Sequence, residues 1–494
     1  MDIGIFHSQT VDKIGQVFTP LEWAKWLLNR WNVFDSWLNG AVICDPTAGE
    51  GVFALALFDM ARSARISITP DMLARLTLIE VDPELIHRFR NCAFKEYGIS
   101  FPSSNILIRD VITTKHSFRY DILVGNPPWT NFTDLPDAYK ERLKPYFIRE
   151  GLVPDIKRVL LGSSRTDLAA LVLKIALGQL LNPKGKAYFF LPLSLFFGDD
   201  AHTGFRDYLA NQRDFCVEEV HEFSFTKIFK SIGTSYCCAT FQIDKEQKFP
   251  VRYFQEKGAN WNECFAKPFM ERNDQWRIIT KDSEVEAGRI RVDLSPTQKP
   301  RQGVNTCGAN EIFIFENKPP DLPAEYLFPL ATKHIWKNRE ASPIRWILLP
   351  YNKITGKALF WSEIEQYDAL KDYLLSFKPR LTARKGTLIR SMIDKGFWWA
   401  LLGVGPYSFA PYKIVWEAYG KKEFLPTILH QFCGQPWQPN QAMHAFIPAW
   451  NEGDATRIHN ALLDPRITTL LQDLQGGGKC NWAQPGKIAK ILLS

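Results

Sequence analysis

The sequence has no pair of cysteines at CxxC spacing and no histidines at HxxxH or HExxH spacing. Its nine cysteines are an odd set, and the only close ones, Cys237 and Cys238, are adjacent, where ordinary disulfide geometry does not fit. These absences exclude a disulfide-stapled secreted scaffold and a zinc ribbon, so reduced thiols and no metal site are expected. A signal peptide is also missing, as is any uninterrupted apolar run of the length a bilayer requires. The chain is therefore expected to be cytoplasmic, without a membrane partner. There is no internal repeat and no low-complexity tract. Finally, no lysine or arginine stands in the glycine-rich turn Ala48-Gly49-Glu50-Gly51, which argues against a polyphosphate ligand there.

What the chain does have is length, aromatic side chains and an uneven charge. Its 494 residues exceed what one hydrophobic core organises and predict two or three domains. Aromatics make up 13% of the residues, and the net charge is +7. Residues 1–250 are nearly charge-balanced, so the positive excess lies in 251–494. A neutral half joined to a basic half suits an enzyme core carrying a polyanion-binding module. The surplus is modest and does not carry that reading alone.

Short apolar runs at 41–44, 76–79, 106–108, 121–124 and 187–191 alternate with helix-like stretches such as ELIHRFRNCAFKEY. This spacing predicts an α/β doubly wound sheet with its ligands at the carboxyl ends of the strands. Runs around 216–220 and 236–243 read as a terminal antiparallel hairpin flanking FTKIFKSIGTS. The expected division is a first domain over 1–245, a connecting segment over 246–300 that includes LSPTQKPRQG, and an α+β second domain over 301–494.

Three of the predicted strands end in acidic residues. VICDPTAGEGVFALAL places Asp45 at the end of the first strand, ahead of a glycine turn that opens a helix. Glycines there let a ligand approach the backbone, and the helix start offers unpaired amides. A tight strand-to-helix turn is the plainer explanation of that stretch taken alone. LTLIEVDPEL ends the second strand with Glu80 and has Asp82 two residues on, where carboxylates can accept ribose hydroxyls. Capping of the following helix is the alternative for either one. NILIRDVI ends the third strand with Asp110, suited to accept from an exocyclic adenine amine. Together they describe a nucleoside pocket. The fourth strand runs into Asn126-Pro127-Pro128-Trp129, where two prolines forbid both helix and ladder and leave a stiff loop.

In this order and spacing, DPTAGEG, IEVDP, RDVI and GNPPW resemble the S-adenosylmethionine-dependent amino-methyltransferases that act on adenine in DNA. With the cofactor motifs ahead of the NPP motif, the sequence is similar to their gamma group. GQVFTP, Gly15 to Pro20, resembles the segment that closes over the methionine part of the cofactor in that group. The resemblance covers roughly residues 15–245. It implies a seven-stranded Rossmann-like methyltransferase domain, S-adenosylmethionine as cofactor, and a cofactor site lined by Thr19, Pro20, Asp45, Pro46, Ala48, Gly49, Gly51, Glu80, Val81, Asp110, Val111 and Asn126.

It also makes sense of the proline loop. An exocyclic amine is a poor nucleophile because its lone pair is delocalised into the ring. If the Asn126 side-chain oxygen and the Pro127 carbonyl both accept from that amine, the nitrogen becomes more tetrahedral and its lone pair turns toward the methyl donor. Pro127 and Pro128 preorganise the acceptors, Trp129 offers a stacking face to a flipped-out base, and Phe229 stands where the family places an aromatic over the other face. A loop anchor remains the alternative for Trp129, and an ordinary core position for Phe229.

The second half, through RQGVNTCGANEIFIF and FWWALLGVGPYSFAPYKIVW, resembles more loosely the target-recognition region of type II adenine methyltransferases. Lys378, Arg380, Arg384, Lys385 and Arg390 are its candidate phosphate contacts on double-stranded DNA, with a solvated helix face as the alternative. Trp398, Trp399, Tyr412 and Trp416 read as core. Glu246-Gln247-Lys248 and Glu316-Asn317-Lys318 lack a convincing upstream Pro-Asp of a nuclease, and few residues precede Gly15, so methylation without cleavage by this chain is expected. A separate restriction nuclease or defence-system subunit is a further expected partner, and the chain is expected to bind DNA as a monomer. The rival readings are the same chemistry on cytosine N4 or on RNA, and an inactive scaffold of this fold in a defence complex.

Overall fold

The computed structural model describes residues 17–153, 166–198, 200–229, 232–258, 260–279, 290–332, 342–419, 424–440, 444–474 and 483–493. Gly15 and Gln16 of GQVFTP lie outside the described residues. The chain divides into two compact units, Met1–Ser283 and Glu284–Ser494.

The first unit is built on one mixed sheet. Its strands are β1 (Ile43–Asp45), β2 (Leu76–Glu80), β3 (Ile106–Ile108), β4 (Tyr120–Gly125), β5 (Leu181–Pro192), β6 (Leu209–Ala210), β7 (Arg213–Phe223), β8 (Tyr236–Ile243), β9 (Val251–Lys257), β10 (Asn260–Pro268) and β11 (Trp276–Ile279). Their order is β11-β10-β9-β7-β8-β5-β4-β1-β2-β3, with β6 paired to β7. Strands β3, β2, β1, β4 and β5 run parallel. Strand β8 is antiparallel to both β5 and β7.

Alternate residues of the parallel strands enter two different cores, as the two-residue period of a strand requires. Cys44, Ile79, Leu123 and Phe189 face the core that contains the helix Leu168–Leu180. Ile43, Leu78, Val124 and Phe190 face the core made with the helices Leu21–Arg30, Val52–Ser63 and Pro83–Tyr97. Burial on both faces explains why these strands read as continuous apolar runs. The chain leaves β1 for β2 and β3 and then returns to β4 on the other side of β1. This reversal opens a crevice at the carboxyl ends of β1 and β4, where open α/β sheets bind ligands.

Two expectations need correction. Eleven strands stand where seven were expected, and the first unit does not close at residue 245. Residues 251–279, assigned to a connecting segment, supply β9, β10 and β11, with β9 pairing in parallel with β7. Their sequence, VRYFQEKGANWNECFAKP, mixes charged and apolar positions because much of β10 is exposed, which blurs the strand signal.

The second unit holds a four-stranded sheet of Arg301–Gln302, His444–Ala449, Tyr412–Glu417 and Thr427–Leu429 and a three-stranded sheet of Ile314–Phe315, Trp346–Leu348 and Leu327–Pro329. Helices Asp368–Ser376, Thr387–Asp394 and Glu452–Leu462 accompany them. Trp398, Trp399 and Trp416 are buried. The Trp416 indole donates to the Ala483 carbonyl at 2.7 Å.

Candidate active site

A cavity of about 220 Å³ opens at the crevice between β1 and β4. Thr19, Asp45, Pro46, Ala48, Gly49, Glu80, Val81, Asp110, Val111, Asn126 and Pro128 line it. Pro20, Gly51, Pro127, Trp129 and Phe229 are not on its wall. Val17, Phe18, Glu50, Arg109, Tyr139, Leu168 and Val172 also line it without having been singled out as site residues. Leu168 and Val172 lie one helical turn apart near the start of a helix buried nearly all round, so no amphipathic pattern marked them.

The glycine turn is stitched to β2. The Ala48 amide donates to the Ile79 carbonyl at 2.9 Å, and the Gly49 amide to Glu80 Oε2 at 2.8 Å. Gly49 and Gly51 adopt φ of +55° and +68°. At Gly51 a Cβ would also stand 2.3 Å from the Phe89 ring, so conformation and space both demand glycine. Glu80 Oε1 accepts from the Val81 and Asp82 amides at 2.8 and 3.0 Å. A carboxylate offers about four acceptor positions, which leaves one for a ligand hydroxyl. Asp82 caps the next helix by accepting from the Glu84 amide at 2.9 Å.

Electrostatically the pocket is short of positive charge. Burial pushes the Asp45 carboxyl up to about 8, with Glu80 adding like-charge repulsion against the bond from the Thr47 amide. Burial also raises Glu80. Asp110 accepts from the Ile112 amide at 2.8 Å and pairs with Arg142 at 3.3 Å. Thr47 Oγ1 and Arg109 Nε are buried without a partner.

Asn126 leaves the end of β4 with its amide nitrogen engaged twice, donating to the Val17 carbonyl at 2.8 Å and to Thr19 Oγ1 at 3.1 Å. The Val17 contact fixes which end of the amide is nitrogen, since only N–H can face a carbonyl. Its Oδ1 is buried and has no partner. Trp129 and Phe229 stand together, edge to face, with ring centroids 4.9 Å apart. The expected sandwich of a base between these two rings is therefore not open here: parallel faces around a base need a gap that a T-shaped contact fills. Tyr236 packs on Phe229 at 5.0 Å and holds that side of the cluster.

No protein-family model matches the chain. The Type II methyltransferase M.AccI of Acinetobacter calcoaceticus is 25% identical over 339 residues, 64% of this chain and 56% of that protein. The Type II methyltransferase M.HincII of Haemophilus influenzae is 24% identical over 274 residues, 53% of this chain and 45% of that protein. The chain is thus similar, at low identity, to Type II methyltransferases. It spans about half the length of the curated relatives it matches. Among solved structures, the Type IIL restriction-modification enzyme MmeI in complex with DNA has a TM-score of 0.57 at 13% identity, over 97% of this chain and 66% of that chain. A nuclease-deletion mutant of the Type ISP enzyme LlaGI with a DNA substrate mimic has a TM-score of 0.50 at 12% identity, over 88% of this chain and 48% of that chain. At these identities the likeness is one of fold.

The basic residues of the second unit divide into exposed and buried ones. Lys378, Lys385 and Arg390 are exposed; Lys378 lies 5.4 Å from the Trp398 ring centroid and Arg390 is 3.6 Å from Asp394. Arg380 is exposed and paired with Glu311. Arg384 is a correction. It is buried, and its guanidinium donates to the Leu381, Thr306 and Trp398 carbonyls at 3.1, 3.2 and 2.7 Å. A guanidinium spent on three carbonyls inside the fold is a brace and not a phosphate contact. Among the described residues no helix is long and apolar enough to cross a membrane.

Proposed function

We propose that the chain is a site-specific DNA methyltransferase that transfers a methyl group to N6 of an adenine flipped out of duplex DNA. The observation that carries this reading is the Asn126 amide, with its hydrogens committed to Val17 and Thr19 and its buried oxygen unpartnered beside the cavity. An unpaired buried acceptor costs about 1–3 kcal/mol, and an incoming N–H removes that cost. The Pro127 carbonyl, whose direction the following Pro128 ring restricts, is the second acceptor. Two acceptors on one amine pull its hydrogens out of the ring plane and turn the lone pair to the cavity side. Trp129 supplies the stacking face, once it and Phe229 part to admit the base.

S-adenosylmethionine fits the cavity chemistry and would supply an electrophilic methyl on a sulfonium centre. Asp45 and Glu80 suit its cationic tail and ribose hydroxyls, Asp110 its adenine amine, and the glycine turn has no cation for a polyphosphate. The second unit is the proposed target-recognition region, with exposed Lys378, Arg380, Lys385 and Arg390 toward phosphates. Double-stranded DNA is the proposed partner, in a restriction-modification setting. Mass spectrometry of nucleosides from DNA of cells expressing the chain tests the reading. N6-methyladenine is expected and disappears in Asn126→Ala; N4-methylcytosine in its place would transfer the same acceptors to a different ring, and no modified base at all would sink the proposal.

A further inference from the structure

The loop that carries Asn126 is gripped at its far end by a segment of which only Leu168 reaches the cavity wall. Thr130–Phe132 pair with Thr166–Leu168: the Phe132 amide donates to the Thr166 carbonyl at 2.9 Å, the Leu168 amide to the Thr130 carbonyl at 2.8 Å, and Asn131 and Asp167 form an antiparallel bridge. Asp167 occupies the cap position of the helix Leu168–Leu180, where an aspartate usually accepts an amide of the first turn. It makes no such bond. Its carboxylate turns away, accepting from Ser194 Oγ at 2.9 Å with His202 Nε2 3.7 Å off. Asp167 and His202 are both buried.

Ser194 stands two residues past the end of β5, and β5 pairs with β4 up to Gly125, the residue before Asn126. The contacts therefore close a ring. From β4 the path runs through Asn126–Trp129, across the bridge to Asp167, over the carboxylate to Ser194, and back along β5 to β4. Every member but one is backbone or backbone-anchored. Resting on the methyl-transfer reading above, we propose that Asp167 is a positioning residue that gives up its helix cap to tie the Asn126-Pro127-Pro128-Trp129 loop to the end of β5.

The test uses the full chain and three variants, Asp167→Ala, Asp167→Asn and Ser194→Ala. Asn keeps an acceptor for the Ser194 hydroxyl, Ala does not, and Ser194→Ala cuts the same bond from the other side. In hydrogen exchange followed by mass spectrometry, peptides covering 126–135 and 166–170 are expected to exchange faster in Asp167→Ala and Ser194→Ala but not in Asp167→Asn, with the helix Val52–Ser63 unchanged. With tritiated S-adenosylmethionine and unmethylated genomic DNA, kcat is expected to fall roughly 10- to 100-fold in Asp167→Ala, as misplacement of a positioned group does. KM for S-adenosylmethionine should stay fixed and Asp167→Asn should recover the rate. Unchanged exchange at Phe132 and Leu168, faster exchange across the whole unit, or a raised KM with kcat intact overturns the assignment. If the wild-type chain methylates no DNA, the proposed function fails, and the exchange comparison alone then decides the role of Asp167.

Discussion

Asp45→Asn should make the protein without its cofactor more stable at alkaline pH, at the expense of ligand binding. Burial lifts the Asp45 carboxyl from its ordinary 3.8 to about 8. Between those values the folded chain holds a proton that the unfolded chain has released, so stability falls as pH rises, by ~1.4 kcal/mol per pH unit at most. Summed over the window, the ionised carboxylate costs the folded state on the order of 5 kcal/mol at pH 8. Asparagine stays neutral throughout and can still accept from the Thr47 amide, which lies 3.1 Å from Asp45 Oδ1. Urea unfolding of wild type and variant at pH 5 and pH 8 measures the effect. The variant midpoint should exceed that of wild type at pH 8, with the gap narrowing toward pH 5. Glu80, raised in the same direction, is relieved of its repulsion with Asp45 in the variant, which widens the gap at pH 8. A cationic ligand would restore the charge, so calorimetry of S-adenosylmethionine binding near neutral pH should register proton release in wild type and none in the variant, which should also bind more weakly. A variant less stable than wild type at pH 8, or offset equally at both pH values, refutes the reasoning.

Asn126→Ala should reduce methyl transfer by roughly 10²–10³-fold, the range for loss of a preorganised polar group, while calorimetry still detects cofactor binding. Gly51→Ala should lower the melting temperature markedly, since a left-handed residue costs roughly 1–2 kcal/mol before the Phe89 ring is displaced; a melting temperature within a degree of wild type would contradict the packing at that turn. Arg384→Ala should destabilise the second unit by several times the ~1 kcal/mol of a typical hydrogen bond, seen in its unfolding transition. Lys385→Ala should leave that transition alone and lessen the salt dependence of DNA binding.

The parallel part of the sheet was legible because its strands are buried on both sides and its turns are punctuated by Gly and Pro. Asp45, Glu80, Asp110 and Asn126 could be placed in one crevice from sequence because each ends a strand or lies within two residues of its end. What stayed hidden depends on distance in the fold. No local pattern distinguishes Arg384 from Lys385 next to it, and only the carbonyls of Thr306 and Trp398 make one internal and leave the other outside. Leu168 and Val172 sit in a helix apolar all round, so neither period nor polarity pointed to the cavity. Strands β9–β11 were lost in a stretch whose outward positions are polar, and the Trp129–Phe229 contact depends on rotamers that sequence does not fix.

The pinned amide has one more implication. An asparagine free to rotate can offer either end, and so treats a carbonyl and an amine as interchangeable guests. With Val17 and Thr19 holding both its hydrogens, Asn126 has lost that ambiguity and shows a visitor only lone pairs. On the proposed reading, guanine O6, thymine O4 and uracil O4 would meet oxygen with oxygen and be repelled, whereas the amino groups of adenine and cytosine would be accepted. On that reading, discrimination at this edge would be set by a segment more than a hundred residues away in the chain, before any contact with the rest of the base is made.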